Sequence, residues 1–167
     1  MSTATAPPDE MASLAGKYLT FKLKDEHYGL EILKVQEIIG LMDITPVPRV
    51  PAAIRGVINL RGRIIPVIEL RRKFEMSPGA DTELTCIIVV QVTWGDRRLT
   101  MGVLVDEVSD VQDILGSQIE PTPQFGTEVH ADFIRAVAKS QDRVIFLLDI
   151  EKVLTEQELT AIKPDAA

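Results

Sequence analysis

The sequence predicts an all-β fold of the barrel or sandwich kind, and three observations support that prediction. About nine or ten short segments are rich in β-branched and aromatic side chains, with turn-forming residues roughly every eight to twelve positions. Some of these segments alternate apolar and polar residues, as strands with one buried face do. The chain of 167 residues suits one domain or two small lobes, which we expect to divide near residue 80, and it has no exact internal repeat.

The N-terminal elements follow from composition and alternation. Residues 1–16 are rich in Ala, Ser, Thr and Pro, so we expect a mobile arm there. Alternation over residues 18–24 predicts a strand whose odd-numbered side chains face inward, and residues 27–32 are predicted to return as a second strand. Residues 33–40 fit a helical face and fit a strand only partly, and period alone cannot decide so short an apolar run, so the segment is left open between the two.

A hairpin over residues 54–70 is the clearest strand–turn–strand signal in the chain. Two β-branched arms flank Arg61-Gly62, and glycine can take the positive φ that a tight reversal needs. Pro66 lacks an N–H, which places the second arm at an edge or a bulge. Residues 50–55 are predicted to form one short helical turn before the hairpin, because a proline and a glycine stand where helix starts and ends favour them.

The second half of the chain continues the pattern of short strands and loops. Val108 and Val111 belong to a segment that we expect to leave the sheet. Thr155 and Glu158 have the spacing of a capping box, so a short C-terminal helix is predicted from there. The other predicted elements are a loop at 76–81, strands at 86–92 and 99–105, and a second hairpin with arms at 134–138 and 143–148.

Composition and charge limit the classes of partner. Apolar residues make up 46% of the chain, which is enough for a core and excludes global disorder. The net charge of −7 makes the protein a poor ligand for phosphate backbones. Residues 49–73 are the exception, with seven basic residues against one acid, and such a patch permits binding of an acidic protein surface.

No pattern in the sequence indicates catalysis, a metal site or a cofactor. The two histidines lack ligand residues at metal spacing, and there is no phosphate-binding loop, nucleophile elbow or zinc-protease motif. The N-terminus lacks the charged and apolar regions of a signal peptide, and no apolar run approaches the length of a membrane span. By elimination we expect a cytosolic binding module, not an enzyme, whose function lies in its surface.

Five segments in the same order closely resemble the CheW chemotaxis coupling proteins. Each segment alone is a weak signal, whereas five in register between residues 17 and 160 are specific. The segments are 28–38 (YGLEILKVQEI), 56–62 (GVINLRG), 64–71 (IIPVIELR), 102–111 (GVLVDEVSDV) and 147–154 (LLDIEKVL).

The resemblance implies an all-β fold of two SH3-like five-stranded barrel lobes around a shared hydrophobic core. It would cover residues 17–162, with a C-terminal segment that returns to the first lobe and a tail at 163–167. CheW proteins are non-catalytic cytoplasmic adaptors without a cofactor, and they couple transmembrane chemoreceptors to the histidine kinase CheA in arrays. One lobe docks on the regulatory domain of the kinase, the receptor's helical tip lies in the groove between lobes, and further CheW copies can join in rings.

The resemblance also implies a set of contact residues, each carried over by its position in a motif. Val35→Glu would then weaken receptor binding without unfolding the protein. The residues that match receptor or kinase contacts are Val35, Glu37, Ile38, Gly56 and Arg61, and those that match the second-lobe side of the groove are Val108 and Val111.

Several alternatives remain open from the residues alone. Arg61 could instead be structural, tying two loops together through backbone carbonyls. Ala136 and Ala138 stand where the family commonly has glycines, and alanine disfavours positive φ, so the second hairpin could differ. The same scaffold could serve another receptor–kinase pathway, such as surface motility, or be a barrel that binds a small ligand or an acidic peptide at residues 49–73.

Overall fold

Strands are the main elements of the part of the chain that the structure describes. The computed structural model describes residues 13–77, 79, 81–94, 96–121 and 133–153, and the all-β prediction is confirmed there. The strands are β1 (Gly16–Leu23), β2 (Glu26–Glu31), β3 (Val35–Gly40), β4 (Ile54–Leu60), β5 (Arg63–Glu69), β6 (Cys86–Trp94), β7 (Arg97–Val105), β8 (Glu107–Ile114), β9 (Ile119–Glu120), β10 (Ile134–Ser140) and β11 (Arg143–Leu148). The helical elements are α1 (Leu70–Lys73) and the 3₁₀ turns Ile32–Lys34, Gly116–Gln118 and Ile150–Lys152.

The strands form two sheets with the same plan of pairing. The first sheet has the order β8-β1-β2-β11-β10-β9, and the second sheet has the order β3-β6-β7-β5-β4. In each sheet one strand flanks a hairpin, and that hairpin pairs in parallel with a second hairpin, through β2 and β11 or through β7 and β5. The short β9 extends the first sheet at the position where the second sheet has an isolated bridge between Thr45 and Val57.

The chain passes from one sheet to the other at two points. The Ile32–Lys34 turn leads from β2 into β3, and Asp106 leads from β7 back into β8. The second sheet is therefore one continuous stretch of chain, whereas the first sheet combines stretches from both sides of it. Neither crossing lies near residue 80, the expected lobe boundary, because β6 and β7 pair with β3 and β5 and not with the strands that follow them.

Three apolar clusters hold this arrangement together. The central cluster lies between the sheets and takes side chains from both, such as Phe21 of β1 and Ile88 of β6. Each sheet also surrounds a smaller cluster of its own, which includes Leu147 in the first sheet and Ile87 in the second. Two lobes around a shared core are thus confirmed, with six described strands in the first lobe and five in the second instead of five in each.

The hairpins β4–β5 and β10–β11 are one supersecondary unit used twice, 80 residues apart. β4 begins at Ile54 and β10 at Ile134, and in both hairpins the register shifts within the first three residues of the leading strand. Both hairpins end in an equivalent backbone hydrogen bond of 2.9 Å. These bonds run from the Glu69 N–H to the Ala53 carbonyl and from the Asp149 N–H to the Phe133 carbonyl.

The structure completes the interpretation of the N-terminal strands. The inward prediction for odd-numbered residues of β1 is confirmed, since Leu19, Phe21 and Leu23 lie in the central cluster. Tyr18 on the opposite face is also buried, in the first sheet's own cluster, because that sheet curves around it. The ambiguous segment that follows divides into a 3₁₀ turn up to Lys34 and the strand β3.

The predicted helical turn over residues 50–55 is wrong. That segment forms a turn, closed by the Ile54 N–H to the Pro51 carbonyl at 3.0 Å, and β4 begins at Ile54. Pro66 lies in β5, which is an inner strand and not an edge strand. Its parallel pairing with β7 begins only at Val67, so the missing N–H of Pro66 precedes that ladder.

The strand β8 corrects another prediction, because residues 107–114 do not leave the sheet structure. They leave the second sheet and join the first, where Val111 pairs with Leu19 of β1. The second hairpin forms as predicted around Gln141-Asp142. Ala136 and Ala138, where we expected a disturbance, are buried in β10 without positive φ, so alanine fits these positions without backbone strain.

Some predictions concern the ends of the chain. The C-terminal helix from Thr155 and the tail at 163–167 lie outside the described residues, as do residues 1–12 of the arm. The end of the arm is in contact with the fold: the Tyr18 hydroxyl donates to the Leu14 carbonyl at 2.6 Å, and the Leu14 side chain packs against the first sheet's cluster.

Candidate functional site

Glu37 and Arg61 form a fixed, exposed ion pair between the two ends of the second sheet's strand order. The Arg61 Nη1 lies 2.7 Å from Glu37 Oε2, and Nη2 lies 2.7 Å from Oε1, so both nitrogens and both oxygens are used. The side chains are 69% and 32% exposed, respectively. A bidentate pair of this kind fixes the orientation of the guanidinium as well as its position.

The local chain explains why Arg61 reaches its partner. Arg61 and Gly62 turn between β4 and β5 with φ of 53° and 88°, a conformation that suits the right-handed twist of the two arms. The Asn59 side chain supports the turn, since its Oδ1 accepts the Gly62 N–H at 2.8 Å. Glu37 lies on β3, the strand at the other end of the sheet order. The pair therefore joins two strands that share no ladder.

Gly56 permits a second connection between the same parts of the sheet. Thr45, which follows β3, exchanges two backbone hydrogen bonds with Val57 of β4, at 2.8 and 2.9 Å. A Cβ atom placed on Gly56 would lie 2.3 Å from the Thr45 carbonyl oxygen, which is far inside van der Waals contact. Gly56 thus lets two backbones approach closely, and its role in partner contact stays a prediction.

The electrostatics of the pair keep both groups charged. The Arg61 guanidinium lowers the pKa of the Glu37 carboxyl, mainly through the hydrogen bonds, and Glu37 raises the pKa of Arg61 in return. The alternative in which Arg61 ties loops together through backbone carbonyls is not what the side chain does here, because it binds a carboxylate. The pair nonetheless connects β3 to the hairpin, so it holds these two elements together and also forms part of the exposed surface.

Apolar side chains accompany Glu37 along the same edge. Ile38 is 43% exposed, whereas Val35, on the same strand, is half-buried and packs against the central cluster. Leu33, in the 3₁₀ turn before β3, is 94% exposed and Leu41, just after β3, is also exposed. The sequence analysis did not select Leu33, and the only signal for it was that the apolar period could not settle the structure of its segment.

Val108 and Val111 lie on β8, at the end of the first sheet, together with the N-terminal strands. Val111 is exposed, and Val108 is half-buried against the central cluster. The same combination of an exposed and a half-buried apolar residue occurs on β3, with Ile38 and Val35. The strand is anchored by Thr20, whose hydroxyl lies 2.7 Å from Asp110 Oδ1. The structure thus places Val35, Glu37 and Ile38 on one strand of the second lobe, and the two β8 valines on the first lobe.

The basic stretch over residues 49–73 is largely neutralised by acids from within the fold. Arg55, Arg61, Arg71 and Arg72 each make an ion pair, three of them with residues outside the stretch. The pairs are Arg55 with Asp81 at 2.7 Å, Arg61 with Glu37 at 2.7 Å, Arg72 with Glu69 at 3.1 Å, and Arg71 with Asp106. A free basic face is therefore not what the charge pattern produces.

No group of three or more His, Cys, Asp or Glu side chains in the described part of the chain is placed to hold a metal ion. None of the helices among these residues has the length and apolar character needed to span a membrane.

Comparison with known proteins gives this geometry a family. The CheW-like domain family matches residues 17–158. The chemotaxis protein CheW of Klebsiella aerogenes is 38% identical over 157 residues, 91% of this chain and 92% of the relative. The CheW of Bacillus subtilis is 32% identical over 152 residues, 90% and 94% of the two chains. The crystal structure of the scaffolding protein TtCheW from Thermoanaerobacter tengcongensis has a TM-score of 0.76 at 32% identity, covering 87% of this chain and 96% of that one.

The two SH3-like lobes share one core, and the fold is similar to that of a scaffolding protein over nearly its whole length. The protein therefore belongs to the class of two-lobed β scaffolds. The chain belongs to the CheW family, and its role is that of a chemotaxis adaptor. The resemblance inferred from five short segments is thereby confirmed over nearly the whole domain.

Proposed function

We propose that this protein couples transmembrane chemoreceptors to the histidine kinase CheA, as a non-catalytic cytoplasmic adaptor within receptor–kinase arrays. The observation that carries the proposal is that β3, a strand at one end of the second sheet, carries both the fixed Glu37–Arg61 pair and the exposed Ile38. Family membership supports the adaptor role, and the partners are those that the family resemblance implies.

The surface along β3 suits a helical partner. A helix that docks in a groove contributes apolar side chains at regular spacing and polar groups at the rim. Ile38 and Leu33 offer apolar contacts, while Glu37 and Arg61 offer a carboxylate and a planar donor whose orientation is already set. Because the pair is preorganised, little side-chain entropy is lost when a partner binds.

The β8 surface supplies the other side of the proposed groove. Val35 and Val108 pack against the central cluster between the lobes, and their exposed neighbours Ile38 and Val111 project on the same strands. We therefore assign direct receptor contact to Ile38 and Val111, and support of their strands to Val35 and Val108. A micromolar contact needs only about −8 kcal/mol, which a few such anchors provide.

The first experiment is calorimetric titration of the protein with the isolated regulatory domain of its cognate CheA. We expect saturation near one to one, and addition of a receptor fragment should then stimulate kinase activity. Ile38→Glu should weaken receptor binding and leave kinase binding measurable, with Ile64→Glu, at an exposed β5 site, as the matched control. Absence of heat with several CheA paralogues at high micromolar concentration would overturn the proposal.

The same titrations separate this proposal from its alternatives. Binding to the regulatory domain of a motility-pathway kinase, without binding to the chemotaxis kinase, would assign the scaffold to that other pathway. A small-ligand or acidic-peptide barrel has lost its main support, because Arg55, Arg61, Arg71 and Arg72 are paired with internal acids.

A further inference from the structure

At each of the two points where the chain crosses between the sheets, a carboxylate binds groups from both lobes. At the crossing from the second sheet to the first, the carboxylate is that of Asp106, the residue that joins β7 to β8. At the crossing from the first sheet to the second, Lys34 binds the carboxylate of Glu151, which lies in the 3₁₀ turn after β11. We call these two groups of contacts the Asp106 clasp and the Glu151 clasp.

The Asp106 clasp joins three elements from both lobes. Arg71 of α1 donates to both carboxylate oxygens, with Nε at 2.7 Å from Oδ1 and Nη2 on Oδ2. The Lys24 N–H, in the turn between β1 and β2, donates to Oδ2 at 2.7 Å, and the Asp106 N–H donates to the Lys22 carbonyl at 3.1 Å. The Arg71 guanidinium is held further by the Ser77 carbonyl at 3.1 Å.

The Glu151 clasp has the same design with fewer contacts. The Lys34 ammonium lies 3.0 Å from Glu151 Oε2, and the Thr93 N–H of β6 donates to the same oxygen at 3.1 Å. As in the Asp106 clasp, one carboxylate receives a cation and a backbone N–H, and the N–H belongs to a hairpin of the opposite lobe.

The two clasps occupy equivalent positions with the charges exchanged. Arg71 and Glu151 are 80 residues apart, at the same place after the repeated hairpins β4–β5 and β10–β11. In one lobe this position is a cation that reaches an acid at the crossing, and in the other it is an acid that reaches a cation. The equivalence follows from the fold and is independent of any partner.

We propose that the two clasps form a hinge that sets the angle between the lobes, and that the Glu151 clasp opens before the Asp106 clasp. The ranking follows from the contacts. A guanidinium that binds two oxygens is preorganised, whereas an ammonium on a flexible stem makes one contact. Arg71 and Asp106 are 17% and 28% exposed, against 31% and 33% for Lys34 and Glu151, so salt screens the Glu151 clasp more.

The test is a distance measurement between the lobes by pulsed electron spin resonance. Spin labels go on Ile64→Cys and Val144→Cys, which are exposed and equivalent positions of the two hairpins, in a Cys86→Ala background. Asp106→Asn should broaden the distance distribution by about twofold, because loss of a closing contact raises the population of other orientations. Glu151→Gln should broaden it less, and the control Lys17→Ala, which removes an exposed pair within the first sheet, should leave it unchanged.

Charge exchange provides the second arm, in case Asp106→Asn fails to fold. Lys34→Glu and Glu151→Lys should each broaden the distribution, and the double variant should be narrower than either single variant, because it restores the ion pair although the Thr93 N–H loses its acceptor. High salt should broaden the wild-type distribution in the same direction as Glu151→Gln. The proposal is overturned if folded Asp106→Asn matches the Lys17→Ala control, if Glu151→Gln broadens more than Asp106→Asn, or if the double exchange is as broad as the single variants.

Discussion

The hairpins β4–β5 and β10–β11 share a frame but differ in what their turns carry. Both reverse through two residues at positive φ, Arg61-Gly62 in one and Gln141-Asp142 in the other. At the first turn the guanidinium reaches Glu37 across the sheet, whereas the described contact of the Gln141 side chain is a local one of 3.4 Å. The frame thus depends on the apolar arms and the turn, and one side chain decides whether the hairpin is tied to β3.

The two hairpins also differ at the first position after the register shift of their leading strands. In β4 it is Gly56, pressed against the Thr45 backbone, and in β10 it is Ala136, which fills part of the first sheet's cluster. The neighbouring chain explains the contrast, because Thr45 approaches β4 through a single bridge while β9 pairs with β10 as a strand. The same frame therefore tolerates a side chain in one lobe and excludes it in the other.

The largest expected effect is on stability, from exchanging the residues at positions 56 and 136. Gly56→Ala should lower the free energy of unfolding by about 3 kcal/mol, because the new methyl group meets backbone atoms that cannot move aside. The reciprocal change Ala136→Gly should cost only about 1 kcal/mol, from the lost methyl contact and greater chain entropy in the unfolded state. Urea unfolding of the two variants measures both, and equal losses would show that the two positions are equivalent after all.

The flanking strands β3 and β8 provide the next test. Val35→Glu and Val108→Glu should each lower stability by about 2 kcal/mol, because both valines pack against the central cluster and a carboxylate there loses solvation. This revises the expectation that Val35→Glu would affect binding alone. The exposed neighbours are the controls: Ile38→Glu and Val111→Glu should change stability by no more than about 0.5 kcal/mol. A stable Val35→Glu protein would contradict the packing argument.

Substitutions of Arg61 and Gln141 test whether the two turns differ in partner binding. Arg61→Ala should weaken binding of the receptor or kinase by about tenfold, and Arg61→Lys should recover only part of that loss, since an ammonium lacks the planar fork. The thermal midpoint should change little, because Arg61 is 69% exposed. Gln141→Ala should affect neither quantity. A large fall of the Arg61→Ala midpoint would instead make the pair mainly structural.

The smallest expected effect is the pH dependence of the same pair. The Glu37 pKa in the folded protein is below its ordinary value of 4.5, so the pair's contribution to stability is present above about that pH and is lost as the pH falls through the lowered pKa. Titration of the Glu37 carboxyl carbon by NMR measures this, and Arg61→Ala should return the pKa toward 4.5. An unchanged Glu37 pKa in that variant would show that other groups lower it.

Local patterns predicted most of the strands and both tight turns, because alternation and turn chemistry act within a few residues. The hairpin at Arg61-Gly62 and the buried strand β6 are examples. Sheet membership could not be predicted in this way: the apolar residues of β8 recur every third position, and only the packing of the lobes decides which sheet the strand joins. The burial of Tyr18 on the second face of β1 has the same origin.

The candidate site was predictable in its residues and not in its contacts. Glu37 and Arg61 were both selected, yet their bond depends on how the ends of the second sheet approach each other. Likewise, the acids that neutralise Arg55 and Arg71 lie 26 and 35 residues away in the sequence. The repeat of the hairpins escaped notice because few of its positions are identical, and backbone register, not side-chain identity, reveals it.

The interleaving of the two sheets has a consequence for how the protein is made. The second sheet can close as soon as residues 35–105 have left the ribosome, since all its strands are then present. The β1–β2 hairpin emerges earlier but must wait for the last strand, because His27 pairs with Ile145. Contacts so distant in sequence form slowly, and the waiting hairpin exposes unpaired strand edges meanwhile. Newly made chains are thus most exposed to aggregation and proteolysis after the second sheet has formed and before β10 and β11 have joined the first sheet.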